Sequence, residues 1–176
     1  MLPGMLTLSL LRHAKSSWAD PDLADTERPL AKRGMKAAPL VGAVMKREDL
    51  TPDLVLCSPA VRARETLELL LGEIGGRPPE IEIAEEFYPG SPTAMLERLR
   101  ATGKEHRHVL AIGHNPGLHA LAFDLIGKGD RDLVAQLAKK FPTAALAVLR
   151  IPGDRWSGLK RGAARLDRFV TPRSLA

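Results

Sequence analysis

The stretch LTLSLLRHAKSS, Leu6 to Ser17, opens with six residues dominated by leucine and then sets an arginine and a histidine side by side, Arg12 and His13. The first six read as a buried strand. The pair at its end joins a group that binds charge to one that transfers it. A polar loop rich in Asp and Ser follows from Lys15 to Arg28, and the spacing of Leu30, Val41, Val44 and Met45 predicts an amphipathic helix, with a kink or interruption at Pro39.

The same alternation recurs along the chain. DLVLCSP (53–59) reads as a second strand, and PAVRARETLELLLGE (59–73) as a helix starting at Pro59 or Ala60. EIEIAEE (80–86) is a short third strand, and SPTAMLERLRATG (91–103) a helix capped by Ser91. RHVLAIGHNPG (107–117) is a fourth strand that turns at Gly113–Gly117 into the helix LHALAFDLIG (118–127). TAALAVLRI (143–151) and ARLDRFV (164–170) complete the set as closing strands. Strands alternating with helices predict an α/β three-layer sandwich, a mostly parallel central sheet flanked by helices. No repeat, low-complexity segment or linker divides residues 1–176, so one domain is expected.

Composition narrows the functions available. The chain is 44% hydrophobic and 27% charged, which suits a packed core and not a disordered tail. Lys and Arg number 26 against 21 Asp and Glu, and the net charge of +5 favours anionic partners. Aromatic residues are only 4% and no dense basic run occurs, which argues against a nucleic-acid-stacking surface. The lone cysteine, Cys57, precludes an intramolecular disulfide framework, and the sequence shows neither a secretion signal nor an apolar run of about 20 residues, the length a membrane span needs. A cytoplasmic protein that engages neither membrane nor nucleic acid is expected.

In parallel sheets ligands bind beyond the carboxyl ends of the strands. Three chemically loaded turns fall there: LLRHAKSS with Arg12 and His13, CSPAVRARET with Ser58, Arg62 and Arg64, and AIGHNPG with His114 and Asn115. Arginine forks and imidazoles at one sheet edge suit phosphoryl transfer. A planar guanidinium meets two phosphoryl oxygens at once, and a neutral imidazole nitrogen can attack phosphorus to form a covalent intermediate. Arg62 and Arg64 lie roughly 200° apart on a helix, so one of them faces the site and the other the surface. Lys15 and Ser16 of the first loop are candidate phosphate contacts, although a charged loop is often simply solvated.

These segments resemble the histidine phosphatase superfamily. LLRHAKSS is similar to its Arg-His-Gly signature, with Ala14 in place of glycine; SPAVRARET is similar to its second arginine segment and IGHNPG to its second histidine. The short length, RPLAKRG (28–34), FPTAALAVL (141–149) and the terminal PRSL (172–175) look like the SixA-type phosphohistidine phosphatase branch. The resemblance implies that His13 is the nucleophile, that Arg12 and Arg62 bind the phosphoryl oxygens, that His114 stabilises the transition state, and that Asn115 lies in the substrate site. It also implies phosphohistidine on a protein as the substrate; the alternatives are a broad small-molecule phosphomonoesterase of the same superfamily and a non-catalytic phosphate-binding module. Mutases of the superfamily carry longer insertions. An alanine in the signature is harmless if its φ is negative.

Other chemistries fit less well. Cysteine phosphatases resemble Cys, five residues, Arg, whereas four residues separate Cys57 from Arg62 and six separate it from Arg64. A nucleotide-binding phosphate loop would need Gly-Lys-Ser or Gly-Lys-Thr after a glycine-rich turn, which is not found. His106, His108 and His119 lack metal-ligand spacing, so neither metal nor cofactor is expected. Larger relatives of the superfamily use a glutamate as general acid. The corresponding AEEFYPGSP (84–92) offers Glu85 or Glu86, expected on opposite faces of a strand end, so at most one reaches the substrate, with Glu85 the candidate.

Overall fold

In the computed structural model, which describes residues 4–175, Leu6, Leu8 and Leu10 of strand β1 (Met5–Arg12) pack on one side of the sheet and Leu11 on the other. This is the period-two alternation of a strand buried on both faces. The same division holds in β2 (Leu54–Cys57), where Leu54 and Leu56 oppose Val55 and Cys57, and in β4 (His108–Gly113), where Val109 and Ala111 oppose Leu110 and Ile112. Each of these side chains is almost fully buried, and each leucine, valine and isoleucine contributes ~1.5–3 kcal/mol relative to exposure.

Helices cover both faces. Helices α1 (Lys32–Arg47) and α2 (Val61–Ile74) close the Leu11 side, and α3 (Pro92–Arg100), α4 (Gly117–Leu125) and α5 (Arg131–Lys139) close the Leu8 side. The remaining strands are β3 (Glu80–Ile83), β5 (Ile126–Gly129), β6 (Leu146–Pro152) and β7 (Ala164–Val170), and Pro172–Leu175 forms a last helical turn, α6. The strand order is β3-β2-β4-β1-β6-β7-β5. All pairings are parallel except those of β6 with β1 and β7. The chain is therefore the α/β sandwich expected, with one antiparallel strand inside its sheet.

Three local readings are corrected and one helix is added. Helix α1 runs through Pro39 without interruption. Proline removes the N–H that would bond the carbonyl of exposed Met35, and a carbonyl on that face can be solvated instead. Glu85 and Glu86 sit in a 3-10 turn, Glu85–Phe87, and not on a strand end. Helix α4 stops at Leu125, so Ile126 and Gly127 belong to β5. Helix α5 follows β5 and is capped by Asp130, whose carboxylate accepts from the N–H groups of Asp132 and Leu133. The predicted Ser91 cap of α3 is present, its hydroxyl accepting from the N–H of Ala94.

Candidate active site

Parallel strands β2, β4 and β1 are neighbours, so their carboxyl ends bring the three turns together. His13 leaves β1 with its N–H on the carbonyl of Gly113 (3.2 Å) and its own carbonyl accepting from Ala144 (3.0 Å). The next N–H, of Ala14, donates to the Thr66 hydroxyl (3.0 Å), which donates to the Arg62 carbonyl (2.7 Å). The first turn is thus tied to α2. Ala14 is fully buried and is not among the residues with positive φ, so the site tolerates a side chain where the family signature has glycine.

The imidazole of His13 is 6% exposed, and its Nδ1 lies 2.7 Å from the Ala14 carbonyl. A carbonyl can only accept, so Nδ1 carries the proton and Nε2 keeps its lone pair. Burial lowers the pKa to about 4, opposed by the Ala14 bond and reinforced by the charges of Arg62, Arg12 and Arg28. At neutral pH the ring is uncharged and nucleophilic at Nε2.

His114 stands 4.9 Å from His13, centroid to centroid. Its Nδ1 faces the Arg62 guanidinium at 3.3 Å, and because arginine only donates, Nδ1 accepts. Nε2–H therefore donates to the Ser58 hydroxyl at 2.6 Å. Burial is the main cause of its pKa of about 3, followed by His13 and Arg62. Arg12 donates to the Phe141 carbonyl (3.1 Å), and its own pKa is lowered by burial and by Arg62. The Nε donors of Arg12 and Arg62 are both buried and find no acceptor in the protein. Two cations that raise each other's energy, with donors to spare, suit an anion of two or more oxygens.

Three residues that sequence reasoning passed over complete the mouth. Asp25 accepts from Arg62 (3.0 Å), Arg28 (3.2 Å) and the Tyr88 hydroxyl (2.6 Å). The Tyr88 bond is the largest cause of its pKa of about 2, so it stays ionised. Arg28, 6% exposed, also donates to the Ser16 hydroxyl and the Ser17 carbonyl and lies 3.5 Å over the ring of exposed Trp18. Tyr88 meets His114 edge-on at 5.1 Å. The available signals were RPLAKRG, which begins at Arg28, and the fact that Tyr88 is the only tyrosine in the chain.

The remaining candidates separate. Asn115 spends its amide N–H on the Phe141 carbonyl (2.8 Å), leaving a buried Oδ1 without a partner. Ser16 is buried and holds Arg28, whereas Lys15 is exposed and lines a neighbouring groove. Glu85 is exposed, and its side chain makes neither a hydrogen bond nor an ion pair among the described residues. Arg64 is exposed and donates to the Pro59 carbonyl. Cys57 is buried, with its thiol pushed up to about 12 by desolvation. His108 bonds Ser9 at the opposite end of the sheet, with a pKa lowered to about 4 by burial, and His119 bonds the Leu137 carbonyl. Among the described residues no group of three His, Cys, Asp or Glu is arranged to hold a metal ion, and no helix is long and apolar enough to cross a membrane.

The chain is similar to known proteins in sequence and fold. The model of the histidine phosphatase superfamily (branch 1) matches residues 8–88. An uncharacterized protein of Mycobacterium tuberculosis is 37% identical over 165 residues, spanning 93% of this chain and all of its own length. The crystal structure of SixA from Agrobacterium tumefaciens superposes with a TM-score of 0.80 at 31% identity, over 98% of this chain and 100% of that one. The protein histidine phosphatase SixA complexed with tungstate superposes at 0.77 and 24% identity, over 97% of this chain and 100% of that one, a likeness of fold. The chain belongs to the SixA-type branch of the histidine phosphatase superfamily and is a phosphatase of the histidine-nucleophile class.

Proposed function

We propose that the enzyme removes the phosphoryl group from phosphohistidine on a protein partner, with His13 as the nucleophile. The Nε2 lone pair attacks phosphorus, the P–N bond of a substrate ring protonated at its other nitrogen breaks with its electron pair so that neutral imidazole leaves, and the phosphoryl group passes to His13, whose Nδ1 keeps its proton. Water then attacks the His13 phosphoramidate, releasing inorganic phosphate and restoring neutral His13. Arg12 and Arg62 take the equatorial oxygens. A bound phosphoryl anion raises the pKa of His114, and a proton gained at Nδ1 replaces the bond from Arg62 and turns that nitrogen into a donor to the anion, while Ser58 holds the ring at Nε2.

The state of the carboxylates carries the choice of substrate. Among the described residues, Asp25 is the only carboxylate bonded to Arg12, His13, Arg62 or His114, and with a pKa of about 2 it has no proton to give. Glu85 makes no polar contact with the site. An alkoxide leaving group needs a positioned acid, whereas imidazole, whose conjugate acid has a pKa near ~6.5, leaves with little help. The substrate that suits such a site is phosphohistidine.

A panel of phosphohistidine, phosphoserine and phosphotyrosine peptides with small sugar phosphates tests this. Phosphohistidine should be preferred by more than about tenfold in kcat/KM, with turnover undiminished by a chelator. Glu85→Gln and Glu86→Gln should each cost less than about tenfold, short of the ~100-fold usual for a general acid. Equal turnover of the alkyl esters, or collapse in either glutamate variant, would make the enzyme a general phosphomonoesterase.

A further inference from the structure

Beside the catalytic turn lies a groove of about 410 Å³, bounded by the first loop, the start of α1, the end of α5 and the terminal turn α6. Lys15, Arg33, Lys139, Lys140 and Arg173 line it, and neither Asp nor Glu does. None of the five forms an ion pair among the described residues, although Arg98, Arg150, Arg165 and Arg168 elsewhere on the surface each do. The molecule as a whole carries a formal net charge of +5, and this groove presents five of its cations together. We infer that the groove docks an acidic face of the protein that carries the phosphohistidine, an inference that rests on the function proposed above.

Three observations select this occupant. The groove adjoins the site along the chain: Lys15, which lines it, is two residues past His13, and the Phe141 carbonyl that anchors Arg12 and Asn115 is followed by two groove residues, Pro142 and Thr143. A phosphohistidine seated at His13 holds its own protein's surface over these cations. The five charged residues are all exposed, on flexible stems, while the buried residue of the lining is Phe169. Exposed ammonium groups attract an extended negative surface and speed its encounter; a pocket built for one small anion would bury a polar side chain. Finally, five like charges with no carboxylate nearby repel one another, and an acidic partner offsets that repulsion.

The test uses free phosphohistidine and two phosphohistidine peptides, one flanked by a run of glutamates and the other by glutamines. Wild-type enzyme should show a KM for the glutamate peptide at least about tenfold below that for the glutamine peptide, with the gap closing at high salt. The double variant Lys139→Glu/Lys140→Glu should lose that advantage while turning over free phosphohistidine within about twofold of wild type, which also shows that it is folded; Lys139→Gln/Lys140→Gln should fall between. Binding of the unphosphorylated glutamate peptide, read by fluorescence anisotropy, should weaken in the same order. Equal KM for the two peptides, or equal loss on peptide and free phosphohistidine in the variant, would overturn the docking groove alone. Competition by an RNA oligonucleotide as strong as by polyglutamate would also overturn it. Failure of wild type to hydrolyse free phosphohistidine would overturn the function, and with it this partner, whatever the anisotropy shows.

Discussion

Arg62 and Arg64 share a helix and a charge, yet Arg62 is 6% exposed between Asp25 and His114 while Arg64 reaches back over the surface to Pro59. Helical phase alone separates them, and that phase is legible in VRARET. Removing a charged stabiliser from a preorganised site costs on the order of 100-fold, so Arg62→Ala should lose that much in kcat and Arg64→Ala less than about threefold. Equal losses in steady-state assays would contradict the geometry. Arg12, His13, Arg62 and His114 were legible because each stands at the end of a readable strand or at the start of the helix that follows it. Asp25 and Tyr88 were not, because their roles depend on a meeting across 63 residues that no local pattern records. The choice between Glu85 and Glu86 stayed open in the sequence, because a carboxylate near the right segment says nothing about where its side chain ends up.

At the scale of elements, two helical glycines meet opposite surroundings. A Cβ on Gly34 of α1 would lie 2.2 Å from the Lys15 carbonyl, so the helix packs its backbone against the loop behind His13. On Gly72 of α2 the same atom would meet nothing within 4 Å. Gly34→Ala should therefore destabilise by ~1–3 kcal/mol and lower activity, as overpacking against backbone displaces the first loop. Gly72→Ala should stabilise by ~0.4–1 kcal/mol and leave activity unchanged. Urea unfolding with parallel assays checks both, and the reverse order would show that the α1 contact is misplaced. Strands with strict alternation were readable at this scale. Strand β5, Ile-Gly-Lys-Gly, was not, because two glycines and a lysine give no apolar signal; α5 could have been found from Asp130 followed by Leu133, Val134 and Leu137.

At the scale of the whole molecule, three buried histidines couple the fold to pH. His13 and His108 have pKa values of about 4 and His114 about 3, all below the ~6.5 of an unfolded histidine, and burial is the first cause in each. Between pH ~6.5 and ~4 the unfolded chain binds more protons than the folded one, so stability falls as pH falls through that window. Each group contributes a slope of up to ~1.4 kcal/mol per pH unit. The urea midpoint should be constant above pH ~7.5 and drop steadily toward pH ~5; an unchanged midpoint would mean that these rings are solvated or charged in the native state. The α/β layering was legible from strand and helix order, whereas the antiparallel insertion of β6 between β1 and β7 was not, because direction of pairing is set by the connections and not by the strand's own residues.

The central claim is that His13 Nε2 forms a bond to phosphorus. Enzyme quenched during turnover of a radiolabelled phosphohistidine substrate should carry a label that is acid-labile and alkali-stable, as a phosphoramidate is, that maps to His13, and that is absent from His13→Ala but present in Cys57→Ser. A label that persists in His13→Ala, or one that survives acid, would contradict the account.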